Sequence, residues 1–122
     1  MNALLQALVD APTLTRCLYP RGGFDGLEPN ELQVLVALHL HSDRIVTDLV
    51  NQLQLGQGTV STALASLHER GLVRPAVDRR DARRQRQRIT PAGRRLVQHF
   101  ASQARKRLST VQLPSAVLLA ET

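Results

Sequence analysis

Apolar residues recur at helical spacing in several separate stretches of the chain. In the first stretch, residues 2–9, leucines and a valine fall on one helical face, and Pro12 interrupts this pattern before it resumes over residues 14–18. The following segment, Pro20–Gly26, has the sequence PRGGFDG and is dense in turn-forming residues. We therefore predict a kinked or split first helix followed by a loop.

A second helix is predicted to begin at Pro29, since proline is favoured at the first helical position. Glu28 precedes it, and Glu31 places negative charge near the helix N-terminus, where the helix dipole favours it. The pattern ends near residues 41–43. The predicted apolar face of this helix consists of Leu32, Leu35, Val36 and His39, widened by Val34 and Leu38.

Two further helices follow, separated by a glycine. The first covers Ile45–Leu53, Gly56 breaks the pattern, and the next helix runs from Gln57 to Arg70. Gly71 then supplies the residue type that most readily adopts the left-handed conformation at a helix C-terminus. Two helices joined by about three residues around a glycine predict a helix-turn-helix, in which the second helix reads DNA.

The second helix of this pair has an unusual polar face. Solvated helix faces are commonly rich in lysine and glutamate, whereas this one is small and uncharged, and its glycine, serine and threonine lower helix propensity. Such a face suits close approach to base edges and phosphates, although an ordinary surface stretch remains the alternative. The face lies opposite Val60 and Leu64 and consists of Gly58, Ser61, Thr62 and Ala65, with Gln57 and Thr59 at its leading end.

A β-hairpin is predicted next. Leu72–Val77 has the composition of a strand, in which Pro75 indicates an edge position, and residues 85–90 alternate between two faces. Thr90 then caps a helix with Pro91 at its first position. We therefore predict a mainly α protein with a small β-hairpin, a winged helix-turn-helix, with a short terminal helix from residue 113. The apolar stripe of the helix after the hairpin is Leu96, Val97, Phe100, Ala104 and Leu108.

Charge is concentrated in the predicted hairpin. Asp78–Arg88, DRRDARRQRQR, holds six arginines and two aspartates, and by itself such a run is as compatible with a solvated, disordered segment as with a folded one. Residues 1–69 carry three basic and seven acidic side chains, whereas residues 70–122 carry thirteen basic and three acidic ones. The second half of the chain therefore requires a polyanionic partner, and nucleic acid fits best.

Composition limits the other classes of protein. With 122 residues and 43% hydrophobic content, the chain fits one folded domain. The single cysteine excludes an internal disulfide framework, and apolar runs are too short for a membrane span or a secretion signal, so we expect a cytoplasmic protein without membrane partners. No nucleophile motif, phosphate-binding loop or apolar carboxylate pair occurs. We therefore predict neither enzymatic activity nor a cofactor.

Three motifs together resemble the multiple antibiotic resistance regulator (MarR) family. They are LEPNELQVLVAL, TVSTALASLHERGLV and DARRQRQRITPAG, and the resemblance is best over about residues 27–100. It implies one domain, 1–122, with a winged helix-turn-helix core at 27–100 and dimerisation segments at 1–26 and 101–122.

The resemblance also implies a DNA-binding surface. The second helix of the pair would enter the major groove of double-stranded DNA, with Gln57, Gly58, Thr59, Ser61 and Thr62 nearest the bases or phosphates. The hairpin would reach the minor groove through Arg83, whose guanidinium would donate a charge-assisted hydrogen bond to Asp81. The remaining wing arginines would meet phosphates, which position a protein without specifying sequence. They are Arg79, Arg80, Arg84 and Arg86.

Regulation follows from the resemblance as well. Similar proteins are mostly homodimers that bind palindromes, and many are repressors released by small-molecule effectors. The alternatives are an architectural DNA-binding protein with weak sequence preference and a winged helix that acts as a protein-interaction or RNA module. This chain departs from the family at Gln85 and Gln87, where similar wings favour β-branched apolar residues, and these glutamines predict a loosely packed wing.

The terminal leucines and valines are more apolar than exposed ends should be, so we expect a dimer through them. They are Leu4, Leu5, Leu8, Val111, Leu113, Val117, Leu118 and Leu119.

Cys17 and Tyr19 form a possible redox or effector site, because similar peroxide sensors hold an N-terminal cysteine near tyrosines. A small buried thiol is the favoured interpretation of Cys17, and a redox-sensing repressor is the alternative. A zinc site built from Cys17 with His39, His41 and His99 lacks ligand spacing, so no metal is predicted. We expect His39 to pack in the core and His68 to lie at the surface.

Overall fold

The computed structural model describes residues 2–10, 19–20, 23–77, 80 and 85–108. Within these ranges the protein is mainly helical with one antiparallel hairpin, which confirms the predicted fold class, and no helix there is long and apolar enough to cross a membrane. The predicted bounds hold to within three residues. The elements are α1 (Asn2–Asp10), α2 (Pro29–Leu40), α3 (Val46–Leu53), α4 (Gln57–Glu69), β1 (Val73–Val77), β2 (Gln85–Ile89) and α5 (Pro91–Leu108).

Helix α2 is the centre of the fold. It contacts α1, α3, α4, α5 and β2, and every residue from Glu31 to Leu38 is buried. The single stripe predicted from the sequence is therefore too narrow, because a helix surrounded by neighbours is buried on all sides. At its N-terminus, the backbone N–H of Glu28 donates to Glu31 Oε1 at 2.7 Å, which gives the buried carboxylate a partner.

Helix α4 ends in the Schellman arrangement that Gly71 predicts. Gly71 has a φ of 72°, and its N–H donates to the carbonyl of His68 at 3.0 Å. The N–H of Leu72 donates to the carbonyl of Leu67, also at 3.0 Å. These bonds turn the chain directly from α4 into β1.

Thr90 ties the end of α4 to the start of α5. Its Oγ1 accepts a hydrogen bond from the N–H of Gly93 at 3.1 Å, as expected of an N-cap, and donates to the carbonyl of Gly71 at 2.8 Å. Its backbone N–H donates to the carbonyl of Leu72 at 3.0 Å. One residue therefore satisfies polar groups at both helix ends.

Helix α1 packs inside the chain. Leu4 and Leu5 are 0% and 1% exposed in the single chain, and Val9 is buried beside them. The expectation that Leu4 and Leu5 form a dimer interface is therefore wrong, because both side chains are buried in the core of their own chain. The side chain of Leu8, the break at Pro12 and residues 109–122 lie outside the described part.

Candidate nucleic-acid interface

The polar face of α4 is exposed along the first half of the helix. All five predicted contact residues lie on it, and the opposite face, which includes Val60 and Leu64, is buried in the core. A Cβ added at Gly58 would meet nothing within 4 Å, so the face is open at its leading end. The exposed residues are Gln57, Gly58, Thr59, Ser61 and Thr62.

A groove of about 720 Å³ runs between this face and the first turn of α2. Thr59 and Thr62 line one wall, and Glu28 and Asn30, both exposed, line the other. Sequence reasoning missed Glu28 and Asn30, because local pattern assigns them to the start of α2 and carries no signal that α2 begins beside α4. Hydrogen-bonding side chains of two helices therefore meet on one open surface.

The hairpin next to α4 pairs in a register centred on Pro75 and Gln87. The N–H and carbonyl of Gln87 both point away from β1, toward Arg44, so Pro75 and Gln87 form a non-hydrogen-bonded pair. The missing N–H of Pro75 therefore costs the sheet nothing, which confirms its predicted edge position. Of the predicted wing residues, Arg80 and Arg86 are described, whereas Arg79, Asp81, Arg83 and Arg84 lie outside the described part.

Strand β2 is fastened to the rest of the domain at Gln87, whose side chain is 3% exposed. Its N–H donates to the carbonyl of Arg44 at 2.6 Å, and its carbonyl accepts from the N–H groups of Asp43 and Arg44 at 2.9 and 3.1 Å. Its side-chain Oε1 lies 2.6 Å from Nε2 of His68. For this strand the prediction of loose packing is wrong, and His68 is half-buried and bonded rather than a simple surface residue.

Asp43 holds the two arginines on the other face of β2. Its carboxylate accepts two hydrogen bonds from Arg88, at 3.0 and 2.9 Å, and its carbonyl accepts one from Arg86. The hydrogen bond and the charge of Asp43 raise the pKa of Arg88. Arg88 lies opposite Arg74 in the hairpin, so Asp43 also offsets a like-charge pair. Sequence reasoning missed Asp43, although aspartate is one of the few residues that tolerate its φ of 68°.

The family of the domain follows from residues 25–84, which match the model of the MarR family. The winged helix-turn-helix of this chain belongs to the MarR family. Among curated protein sequences, none matches the chain significantly.

Solved structures share this MarR fold. A probable transcriptional regulator from Pseudomonas aeruginosa is 24% identical, with a TM-score of 0.71 over 93% of this chain and 89% of that one. MepR of S. aureus in complex with DNA is 24% identical, with a TM-score of 0.64 over 83% and 77%. BpsR of Bordetella bronchiseptica, whose DNA binding is regulated by 6-hydroxynicotinic acid, is 26% identical, with a TM-score of 0.66 over 88% and 76%.

Tyr19 has a structural contact in this MarR domain. Its hydroxyl donates to the carbonyl of Leu27, and its own carbonyl accepts a hydrogen bond from Arg107 at 3.3 Å. It therefore joins the segment before α2 to the end of α5. Cys17, the other member of the possible redox or effector site, lies outside the described part, so the site stays a prediction.

His39, His41 and His99, which were considered as zinc ligands, do not form a metal-binding group. In the described ranges, no group of three or more histidine, cysteine or acidic side chains could hold a metal ion. His99 stacks on Phe24 with 5.5 Å between ring centroids. His39 is half-buried, and its Nδ1 is buried without a hydrogen-bond partner.

His39 predicts a pH dependence of stability. Burial lowers its pKa below the usual value, and the charge of Arg94 lowers it further. Below about pH 6.5 the unfolded chain binds a proton that the folded chain resists, so the free energy of unfolding falls as pH drops through that value, until the folded-state pKa is reached. Thermal unfolding between pH 7.5 and 5.5 should show this decrease in wild type and a smaller decrease in His39→Leu. The exposed His41→Leu should behave like wild type, and an equal decrease in all three proteins would contradict the assignment.

Proposed function

We propose that this protein is a sequence-specific double-stranded-DNA-binding transcriptional regulator that acts as a homodimeric repressor on a palindromic operator. One observation carries the proposal. The uncharged face of α4 is exposed beside a cationic hairpin, and Gln87 joins the two.

The two surfaces have complementary chemistry. Base edges in the major groove are read by hydrogen bonds at close range, which the hydroxyls of Thr59, Ser61 and Thr62 can supply without bulk. Arginines neutralise phosphates and release counterions, which supplies affinity without specifying sequence. The MepR–DNA complex, a structure of the same fold, supports the assignment of DNA as the partner.

Within the wing, Arg83 is proposed as the minor-groove contact and Asp81 as its support. Arg79, Arg80 and Arg84 are proposed to meet phosphates. These roles come from the family resemblance. Arg86 is half-buried and donates to the carbonyl of Asp43, and its phosphate contact is proposed in addition to that bond.

A two-fold dimer would place two α4 helices about one DNA turn apart, roughly 34–36 Å, and so select a palindrome. Its interface is proposed to come from residues 1–26 and 101–122, without Leu4 and Leu5. Control by a small molecule is also proposed, and the regulation of BpsR by 6-hydroxynicotinic acid supports it by analogy.

Two arginine substitutions test the division of roles. We expect Arg83→Ala to lower affinity for a site selected from random duplexes by roughly 1 to 3 kcal/mol, with loss of sequence preference at the flanks. Arg80→Ala should weaken binding to selected and random duplexes alike, and make the slope of log affinity against log salt shallower by about one. Fluorescence anisotropy over a salt series measures both.

The same titrations separate a regulator from an architectural protein. For the wild type, bulk DNA should compete far less well than the selected duplex. Equal competition by the two would indicate an architectural DNA-binding protein instead. Equal, sequence-blind losses in Arg83→Ala and Arg80→Ala would contradict the roles assigned to them.

A further inference from the structure

The His68–Gln87 contact joins the two surfaces that are proposed to face DNA. His68 lies in the last turn of α4, and Gln87 is the middle residue of β2. The carbonyl oxygen Oε1 of Gln87 can only accept a hydrogen bond, so Nε2 of His68 donates it, over 2.6 Å. Side chains 19 residues apart in sequence thereby connect the recognition helix to the wing.

The backbone attachment of β2 does not make this connection. The strand pairs with β1 on one edge. On the other edge it is bonded to residues 42–44, through the Arg44 bridge, the N–H of Asp43 and the hydroxyl of Ser42. Arg44 precedes α3, and its Nη1 donates to Gln52 of α3 at 2.7 Å. These bonds hold β2 to the first helix of the helix-turn-helix. The bond from His68 comes from a different helix, α4, and so adds a contact that the bonds of residues 42–44 do not make.

The burial of Gln87 makes the bond costly to lose. An amide oxygen or imidazole N–H left without a partner in a buried site costs more than the net gain of an ordinary hydrogen bond. A β-branched apolar residue at position 87 would fill the same space with no acceptor. Glutamine at this position is therefore explained by its acceptor and by the donor at His68.

We propose that the His68–Gln87 hydrogen bond sets the angle of the wing against the recognition helix, so that both are positioning residues for DNA recognition. The bond fixes the distance between the major-groove face of α4 and the wing, and with it the number of base pairs that one protomer spans. The effect on DNA binding rests on the function proposed above, whereas the mechanical coupling does not.

The free protein tests the coupling. In Gln87→Leu and His68→Leu, the backbone N–H of residue 87 should exchange with solvent roughly tenfold faster than in wild type, as expected for a loss of about 1.4 kcal/mol. The matched control is Gln85→Leu, the same change on the same strand at an exposed position. His68→Gln retains a donor and should restore slow exchange. Circular dichroism checks that each variant is folded.

DNA binding tests the consequence. Hydroxyl-radical footprints of the wild type should protect both the centre of each half-site and its minor-groove flank. His68→Leu should lose the flank protection and roughly tenfold in affinity while retaining its preferred central bases, and His68→Gln should recover both.

Unchanged exchange and footprints in His68→Leu and Gln87→Leu would overturn the proposal. It would also be overturned if Gln85→Leu matched these two variants, or if His68→Gln failed to restore slow exchange. If the wild type prefers no DNA sequence, the proposed function fails, and the exchange measurement still decides whether the bond couples the wing to α4.

Discussion

Replacing Ser61 with glutamate is expected to reduce affinity for the selected DNA site at least about a hundredfold. Ser61 is exposed on the face of α4 proposed to enter the major groove, and a carboxylate there would be desolvated against the phosphates and base acceptors of DNA. Juxtaposed like charges at an interface cost several kcal/mol, and each 1.4 kcal/mol is about a factor of ten. The fold should be unaffected, because Ser61 is exposed and a glutamate there buries no charge.

The matched control is Gln98→Glu, which adds the same charge at an exposed position of another helix, α5, outside the proposed dimer interface. Both variants lower the net charge by one, so the general attraction to DNA falls equally. The difference between their affinities, measured by anisotropy at one salt concentration, therefore reports local contact. Similar small losses in the two variants would show that α4 does not face DNA, and gel filtration would confirm that their oligomeric states match.

Local sequence signals predicted the element bounds well, because helix ends in this chain are set by nearby residues. Pro29 and Pro91 begin α2 and α5, Gly71 adopts the left-handed conformation after α4, and Thr90 caps α5 through its own hydroxyl. Each of these preferences acts over one helical turn. A short motif therefore contains the whole physical cause of each boundary.

The pattern of hydrophobic and polar residues could not predict contacts between segments that are distant in sequence. A glutamine in a strand predicts a polar surface position, yet Gln87 is buried because His68 and Arg44 satisfy its polar groups. Asp43 holds Arg88, 45 residues away, for a similar reason. Hydrogen-bond partners decide whether a polar residue can be buried, and those partners come from tertiary structure.

In the candidate site, too, some features could be predicted from the sequence and others could not. Helical periodicity was sufficient to place Gln57, Ser61 and Thr62 on one exposed face, because the core face of α4 is marked by Val60 and Leu64. Apolar content alone led to a wrong prediction for Leu4 and Leu5, because apolar side chains can pack either against a partner subunit or against the core of their own chain. Only the packing of α1 on α2 distinguishes the two outcomes.

Gly93→Ala is expected to destabilise the fold by roughly 3 kcal/mol, at the upper end of the usual cost of overpacking. A Cβ at this position would lie 2.4 Å from the carbonyl oxygen of Leu72 and 2.7 Å from Cγ1 of Ile89. The carbonyl cannot move away freely, because it accepts the N–H of Thr90, whose hydroxyl caps Gly93 in turn. Steric clash therefore outweighs the gain of about 1 kcal/mol that alanine brings to a helix.

Gly58→Ala is the control for this prediction, since Gly58 is also helical but its added Cβ would meet nothing within 4 Å. It should be as stable as wild type or more stable by about 0.5–1 kcal/mol. Urea unfolding followed by circular dichroism gives the free energies. A loss of about 3 kcal/mol is a large fraction of the roughly 5–15 kcal/mol typical of a folded domain. If Gly93→Ala proves as stable as Gly58→Ala, the junction of α4, β2 and α5 must move readily to accommodate the added methyl group. The close packing at Thr90 would then not be required to hold the wing and the two helices together.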